Sequence, residues 1–168
     1  MKIRGNCKGI TLLEMIIIAV VIGITATLAI PRFGQVMEKL KLKTAGRDIV
    51  SSLRLARASA VSQRTQFGVY FDMESGQYIL FKDLANPGSF TYDAGADSDM
   101  VTKTLPRDVN LAYASFPNFV AIFRPNGSAS SSGAVLLYSR EDYERPLSVD
   151  VLGSTGRVKL ISGYSEQF

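Results

Sequence analysis

The sequence predicts an α+β protein: one long N-terminal helix followed by an antiparallel β-sheet domain. Three observations predict it. Residues 10–30 form an apolar run of 21 residues in which Glu14 is the only charge. Apolar and small residues then recur in helical steps at Leu42, Ala45, Ile49, Leu53, Ala56 and Ala60. From Phe67 onward, short alternating runs are separated by Gly, Pro, Asn and Asp, the pattern of strands and turns. One helix followed only by strands implies a sheet laid against the apolar stripe of that helix.

The first nine residues carry Lys2, Arg4 and Lys8 and no acid. The apolar run after them, taken as residues 10–31, is long enough as a helix to cross a bilayer core of about 30 Å. Positive flanks stay cytoplasmic, so the bulk of the chain is expected on the far side. A secretory signal peptide is the competing reading, but its apolar core spans about 7–15 residues before a small-residue cleavage site. Here the run is longer and ends in Leu28-Ala29-Ile30-Pro31. Pro31 removes a backbone hydrogen bond and predicts a kink.

The amphipathic half of the helix is expected over residues 32–66. It holds Arg32, Lys39, Lys41, Lys43, Arg47, Arg54, Arg57 and Arg64 against Glu38 and Asp48, a net charge of +6. These cations read as a solvated face, or as contacts with acidic headgroups near Arg32 or with neighbouring subunits. Residues 67–168 hold 8 basic and 12 acidic side chains, a net of −4. The basic balance thus belongs to the helix, and charge alone points to no broad nucleic-acid surface.

Strands are expected at 67–72 and 77–81, joined by Met73-Glu74-Ser75-Gly76, a hairpin signal. Residues 86–99, rich in Gly, Asp, Ala and Ser, read as a loop. Further strands are expected near 101–105, 109–113, 119–123, 133–138, 147–151 and 157–161. Pro106, Pro117, Pro125-Asn126-Gly127, Pro146 and residues 153–156 punctuate them. Residues 128–132 are expected to be a mobile turn, and Glu141, Asp142 and Glu144 a solvated loop.

Cys7 is the single cysteine, and there is no His and no Trp. His-based zinc sites, Ser-His-Asp triads and Cys-His dyads are therefore excluded. No paired carboxylates, phosphate loop or nucleophile arrangement stands out, so no catalysis and no cofactor are expected. Asp93, Asp97 and Asp99 are hard oxygen donors, but their spacing lacks a complete calcium-loop pattern, so no metal is expected.

Gly9-Ile10-Thr11-Leu12-Leu13-Glu14, opening the apolar run, resembles the leader junction of type IV pilins and pseudopilins. Ile10 stands where that family usually has Phe. The resemblance implies a leader over residues 1–9, cut by prepilin peptidase between Gly9 and Ile10, with N-methylation of Ile10. Cys7 leaves with the leader. Glu14 would meet the positive N-terminal amine of an adjacent subunit, offsetting a buried charge. The alternative is a Glu14 that snorkels to the cytoplasmic interface.

Leu53-Arg54-Leu55-Ala56-Arg57-Ala58-Ser59-Ala60-Val61, Thr104-Leu105-Pro106, Phe123-Arg124-Pro125-Asn126-Gly127 and Gly156-Arg157-Val158-Lys159 resemble the GspH/FimT group of that family. Residues 67–168 would then be a periplasmic β-rich GspH-like domain. The resemblance implies a minor pseudopilin of a type II secretion system. It would be single-pass in the bacterial inner membrane, N-terminus cytoplasmic and C-terminal domain periplasmic. It would assemble with major and minor pilin-like subunits. The alternative is a FimT-like minor type IV pilin serving pilus assembly or DNA uptake, with Arg157 and Lys159 as the DNA contact. Lys159 replaces the second Arg of the group's Gly-Arg-x-Arg pattern, losing the bidentate fork. A plain bitopic anchor whose leader match is chance is the third reading.

Overall fold

The computed structural model describes residues 9–140 and 142–163, except the side chains of residues 28–33 and 35. The leader cations, Cys7, Pro31 as a side chain, Arg32 and Glu141 lie outside the described residues. The chain divides into two compact units, Met1–Met37 and Glu38–Phe168.

One helix, α1, runs from Leu12 to Gln63. Thr11 caps its start: its Oγ1 accepts the Glu14 backbone N–H at 3.2 Å, satisfying one of the donors a helix start leaves open. Thr11 and Glu14 thus have the spacing of a capping box, and the Glu14 charge lies at the positive end of the helix dipole. In the first unit the apolar residues from Ile10 to Ile24 are exposed. The helix assignment continues through Pro31 without a break. Among the described residues no helix is long and apolar enough to cross a membrane. The described side chains of the apolar run stop at Thr27.

In the second unit the strands form two four-stranded antiparallel sheets. β1 (Phe67–Asp72), β2 (Gln77–Lys82), β3 (Ser98–Thr104), β4 (Val109–Ala114) and β5 (Val120–Phe123) precede β6 (Gly133–Ser139), β7 (Asp142–Leu152) and β8 (Arg157–Ser162). The strand orders are β3-β2-β1-β5 and β4-β6-β7-β8. The predicted helical stripe is the core-facing one: Leu42, Ala45, Ile49, Leu53, Ala56 and Ala60 are all buried. They pack with Phe67, Val69 and Phe71 of the first sheet and Val135, Leu137, Val149 and Val158 of the second. Removing this area from water is the main favourable term for the domain. Small residues let the sheets approach. At Gly46 a Cβ would lie 2.4 Å from Leu147 Cδ2 and 3.0 Å from Leu160 Cδ1.

The β1–β2 hairpin forms as expected, and Asp72 organises its turn by accepting the N–H groups of Glu74 and Ser75 and the Ser75 hydroxyl. Three expectations are corrected. β7 begins at Asp142, so Asp142 and Glu144 lie in an exposed strand segment rather than a loop. Pro146 is inside β7. Pairing with β6 jumps from Leu137↔Leu147 to Ser139↔Asp142 and pairing with β8 ends at Leu147↔Ser162, so Pro146 lies just past the regular ladder, where its carbonyl accepts the Gly163 N–H and its missing N–H breaks no ladder bond. Residues 128–132 are not a loose turn. Ala129 N–H donates to Gly153 O, Ser130 N–H to Ile122 O, and Ser132 Oγ accepts from Gly153 N–H.

The loop between β2 and β3 covers the outer face of the first sheet. Tyr92 stacks on Tyr70 at 4.9 Å and packs with Phe81, Val120 and Ile122. Asp97 holds this loop. Its carboxylate accepts the N–H groups of Leu84 (2.9 Å), Ala85 (3.1 Å) and Asp93 (2.8 Å). Burial pushes the Asp97 carboxyl up, but these three bonds outweigh it and hold it below the usual range. Asp83 is buried too, with its Oδ2 lacking a partner among the described residues. Burial, then the Asp97 charge, pushes its carboxyl up.

The two carboxyls therefore act with opposite signs. Asp97 adds stability above its unfolded pKa of about 3.9, lost as pH falls through its lowered folded value. Asp83 adds stability below about 3.9, lost as pH rises through its raised folded value. Asp83→Asn is expected to stabilise the domain near neutral pH by about 1 kcal/mol, and Asp97→Asn to destabilise it by about 2 kcal/mol. Thermal unfolding near neutral pH checks both. An Asp83→Asn variant that melts earlier than wild type would contradict the assignment.

Candidate functional site

Two features of the described residues are not explained by the core. The first is the start of α1. Ile10 is 70% exposed and Leu12 77% exposed, and Ile16, Ile17, Val20, Val21 and Ile24 are exposed with them. A contiguous exposed apolar surface of this kind marks an interaction site. Gly9 has nothing within 4 Å of where a Cβ would be, and Glu14 is exposed one turn into the helix.

The second feature is a basic groove in the other unit. Arg54, Arg57, Ala58, Val61 and Ser62 of α1 form one wall. Thr155, Gly156, Arg157 and Val158, at the turn into β8, form the other. The groove encloses about 920 Å³. Arg47, Val50, Ser51, Arg54 and Leu160 line a smaller hollow that shares Arg54. The helical residues repeat at steps of three, four and seven, so they share one flank of α1. Three arginines line the larger hollow, and no carboxylate lines either among the described residues.

Arg57 is the hub. Its Nε donates to the Gly127 carbonyl at 2.9 Å. Gly127 sits in the turn after Pro125-Asn126, where its N–H donates to Arg124 O and Asn126 Oδ1 accepts from the Ser128 N–H and hydroxyl. Gly156, at φ +62, lies against the same carbonyl: a Cβ there would be 2.2 Å from Gly127 O and 3.0 Å from Arg57 Nε. Three motifs separated in sequence, around Arg57, Gly127 and Gly156, thus meet at one point. The sequence reading singled out each motif but not their convergence. The cue was available in the two turn glycines, whose close approach to a third backbone or side chain requires a missing Cβ.

Arg157 and Lys159 are both exposed on β8, on the same side of the strand, as period-two alternation requires. Arg157 lines the groove and Lys159 does not. Lys41, another helix cation, pairs with Asp108 at 2.6 Å. Asp97 and Asp99 serve the β2–β3 loop, Asp99 accepting the Tyr92 hydroxyl.

The family model of the type II transport protein GspH matches residues 45–155. The chain belongs to the GspH family. The match takes in most of the packed half of α1, the first sheet, three strands of the second and Gly127, and stops just before Gly156 and β8. Solved structures show the same fold. The minor pseudopilin EpsH from the type 2 secretion system of Vibrio cholerae is similar with a TM-score of 0.58 and 13% identity, over 73% of this chain and 97% of that one. The type IV minor pilin FimU of Pseudomonas aeruginosa is similar with a TM-score of 0.59 and 17% identity, over 74% of this chain and 90% of that one. A search of curated protein sequences found no match. This GspH-family chain is thus a GspH/FimT-like pilin with the pilin-like α+β fold, one long helix packed on antiparallel strands.

Proposed function

We propose that the chain is a minor pseudopilin of a type II protein secretion system and that its work is assembly. The observation that carries this reading is the GspH family match over residues 45–155, on a chain that also has a pilin-type leader junction. Prepilin peptidase cuts between Gly9 and Ile10 and methylates Ile10. Residues 10–31 then anchor the chain in the inner membrane, with the N-terminus cytoplasmic and the β-rich domain periplasmic. The exposed apolar side chains from Ile10 onward are covered first by lipid and, on assembly, by the helices of other pilin-like subunits. A charge at Glu14 costs about 2.5–3.5 kcal/mol at mid-bilayer. The amine on Ile10 of a neighbouring subunit offsets that cost and sets axial register.

The second reading is a minor type IV pilin, supported by a TM-score to FimU equal in practice to that for EpsH. In that reading Arg157 and Lys159 contact DNA phosphates. Deleting the chain in its host separates the two. The secretion reading expects a folded substrate of the system to accumulate in the periplasm while surface pili persist. Loss of pili or of DNA uptake with normal secretion would replace it with the second reading.

A further inference from the structure

The groove beside Arg57 has a neighbour that shapes what it can hold. β8 pairs only with β7 and is the edge of its sheet. Its outer row of backbone N–H and C=O groups is unpaired among the described residues, a template for one more strand. Along that strand run both hollows. Val61, Val158 and Leu160 give them an apolar lining, and Arg47, Arg54 and Arg157 give them charge with no carboxylate to neutralise it.

We propose that this groove docks an extended, acidic peptide segment of another subunit, which adds as a strand to the free edge of β8. The docked segment would hydrogen-bond to β8 through its backbone and place carboxylates on Arg47, Arg54 and Arg157. Arginine suits this because its planar fork binds a carboxylate through two parallel N–H bonds. Charge also selects a short acidic strand over a duplex. Residues 67–168 are net −4, and a duplex presents about one negative charge per 1.7 Å along its whole length. A few carboxylates meet only the arginine strip. Arg157 and Lys159 on the edge would serve as ordinary guards against self-pairing if nothing docked there. The arginines of α1, which flank the edge without lying on it, are not needed for that.

The partner being another subunit rests on the assembly role proposed above; the groove's preference for an acidic strand does not. The test uses the full-length chain in detergent micelles. The probe is a fluorescent synthetic peptide of about ten residues, near a typical strand length, built from Glu-Glu-Thr-Thr repeats so that carboxylates lie on both faces of the added strand. Anisotropy is read at rising salt. Binding that weakens with salt is expected. Arg54→Glu with Arg157→Glu should weaken it at least about tenfold, as for lost charge-assisted bonds. Lys103→Glu with Arg107→Glu, both exposed and outside the groove, changes the net charge by the same amount and should leave binding unchanged. The same peptide N-methylated at alternate residues should also lose about tenfold, because its strand face can no longer donate. Equal binding of the N-methylated peptide, unchanged affinity of the double variant, or tighter binding of duplex DNA to the same arginines would overturn the proposal. Loss of peptide binding with secretion still dependent on the chain would overturn this inference and leave the assembly role standing.

Discussion

Gly156→Val is expected to lower the melting temperature of the chain by about 10 °C. Two costs add. Residue 156 has φ +62, a region that costs a β-branched side chain about 1–3 kcal/mol. A Cβ there would lie 2.2 Å from the Gly127 carbonyl oxygen, which is backbone and can yield only by moving its turn. That movement breaks the bond from Arg57 Nε to the same oxygen, worth about 1–3 kcal/mol. A total near 3 kcal/mol corresponds to a shift of about 10 °C in a domain of this size. Gly88 is the control: nothing lies within 4 Å of its Cβ position, and Gly88→Ala should melt with wild type. Thermal unfolding followed by circular dichroism decides it. A Gly156→Val protein melting within about 2 °C of wild type would mean that the three motifs do not meet as described.

Glu14→Ala is expected to separate two effects that a merely solvated glutamate would not. The Thr11 cap survives, because its bond comes from the backbone N–H of residue 14 and Ala is a strong helix former. The helix start loses only the dipole term of about 0.3–1 kcal/mol. Membrane insertion becomes easier, since a charge within the apolar run has gone, though by less than the mid-bilayer figure of about 2.5–3.5 kcal/mol because residue 14 is one turn from the start of the run. Assembly is where the loss falls. Removing one partner of a desolvated pair costs about 2–5 kcal/mol, so co-assembly with partner subunits should drop at least about thirtyfold. Crosslinking of full-length subunits in membranes measures it. Undiminished co-assembly would place Glu14 at the interface with water and remove its register role.

The parts of this fold that were legible in the sequence are those set by short-range patterns. The stripe from Leu42 to Ala60 was readable because core contact repeats at the helical period, and every one of those side chains is buried. The β1–β2 hairpin was readable because Met73-Glu74-Ser75-Gly76 joins two alternating runs over a turn-length gap. What was not readable depends on partners distant in the chain. Strand order β4-β6-β7-β8 brings the β7–β8 turn to Gly127 and Arg57. No local pattern around residues 54–57 announces that. Arg54 and Arg57 read as a solvated helix face, yet they wall a groove. Asp97 read as one of three scattered acids, yet it closes the loop over Tyr70 and Phe81 through three backbone N–H groups. Pro146 misled in a physical way: a missing N–H forbids regular pairing, but residue 146 lies just past the last β7–β8 pair, where there is no ladder bond for it to break.

The assembly role proposed for this chain turns on what happens between Gly9 and Ile10. Mass spectrometry of the N-terminal peptide, from protein purified out of its native membrane, tests it most directly. The account predicts a chain beginning at Ile10 and carrying one added methyl on its amine. A chain that still begins at Met1, or that has been cut after the apolar run, would contradict it.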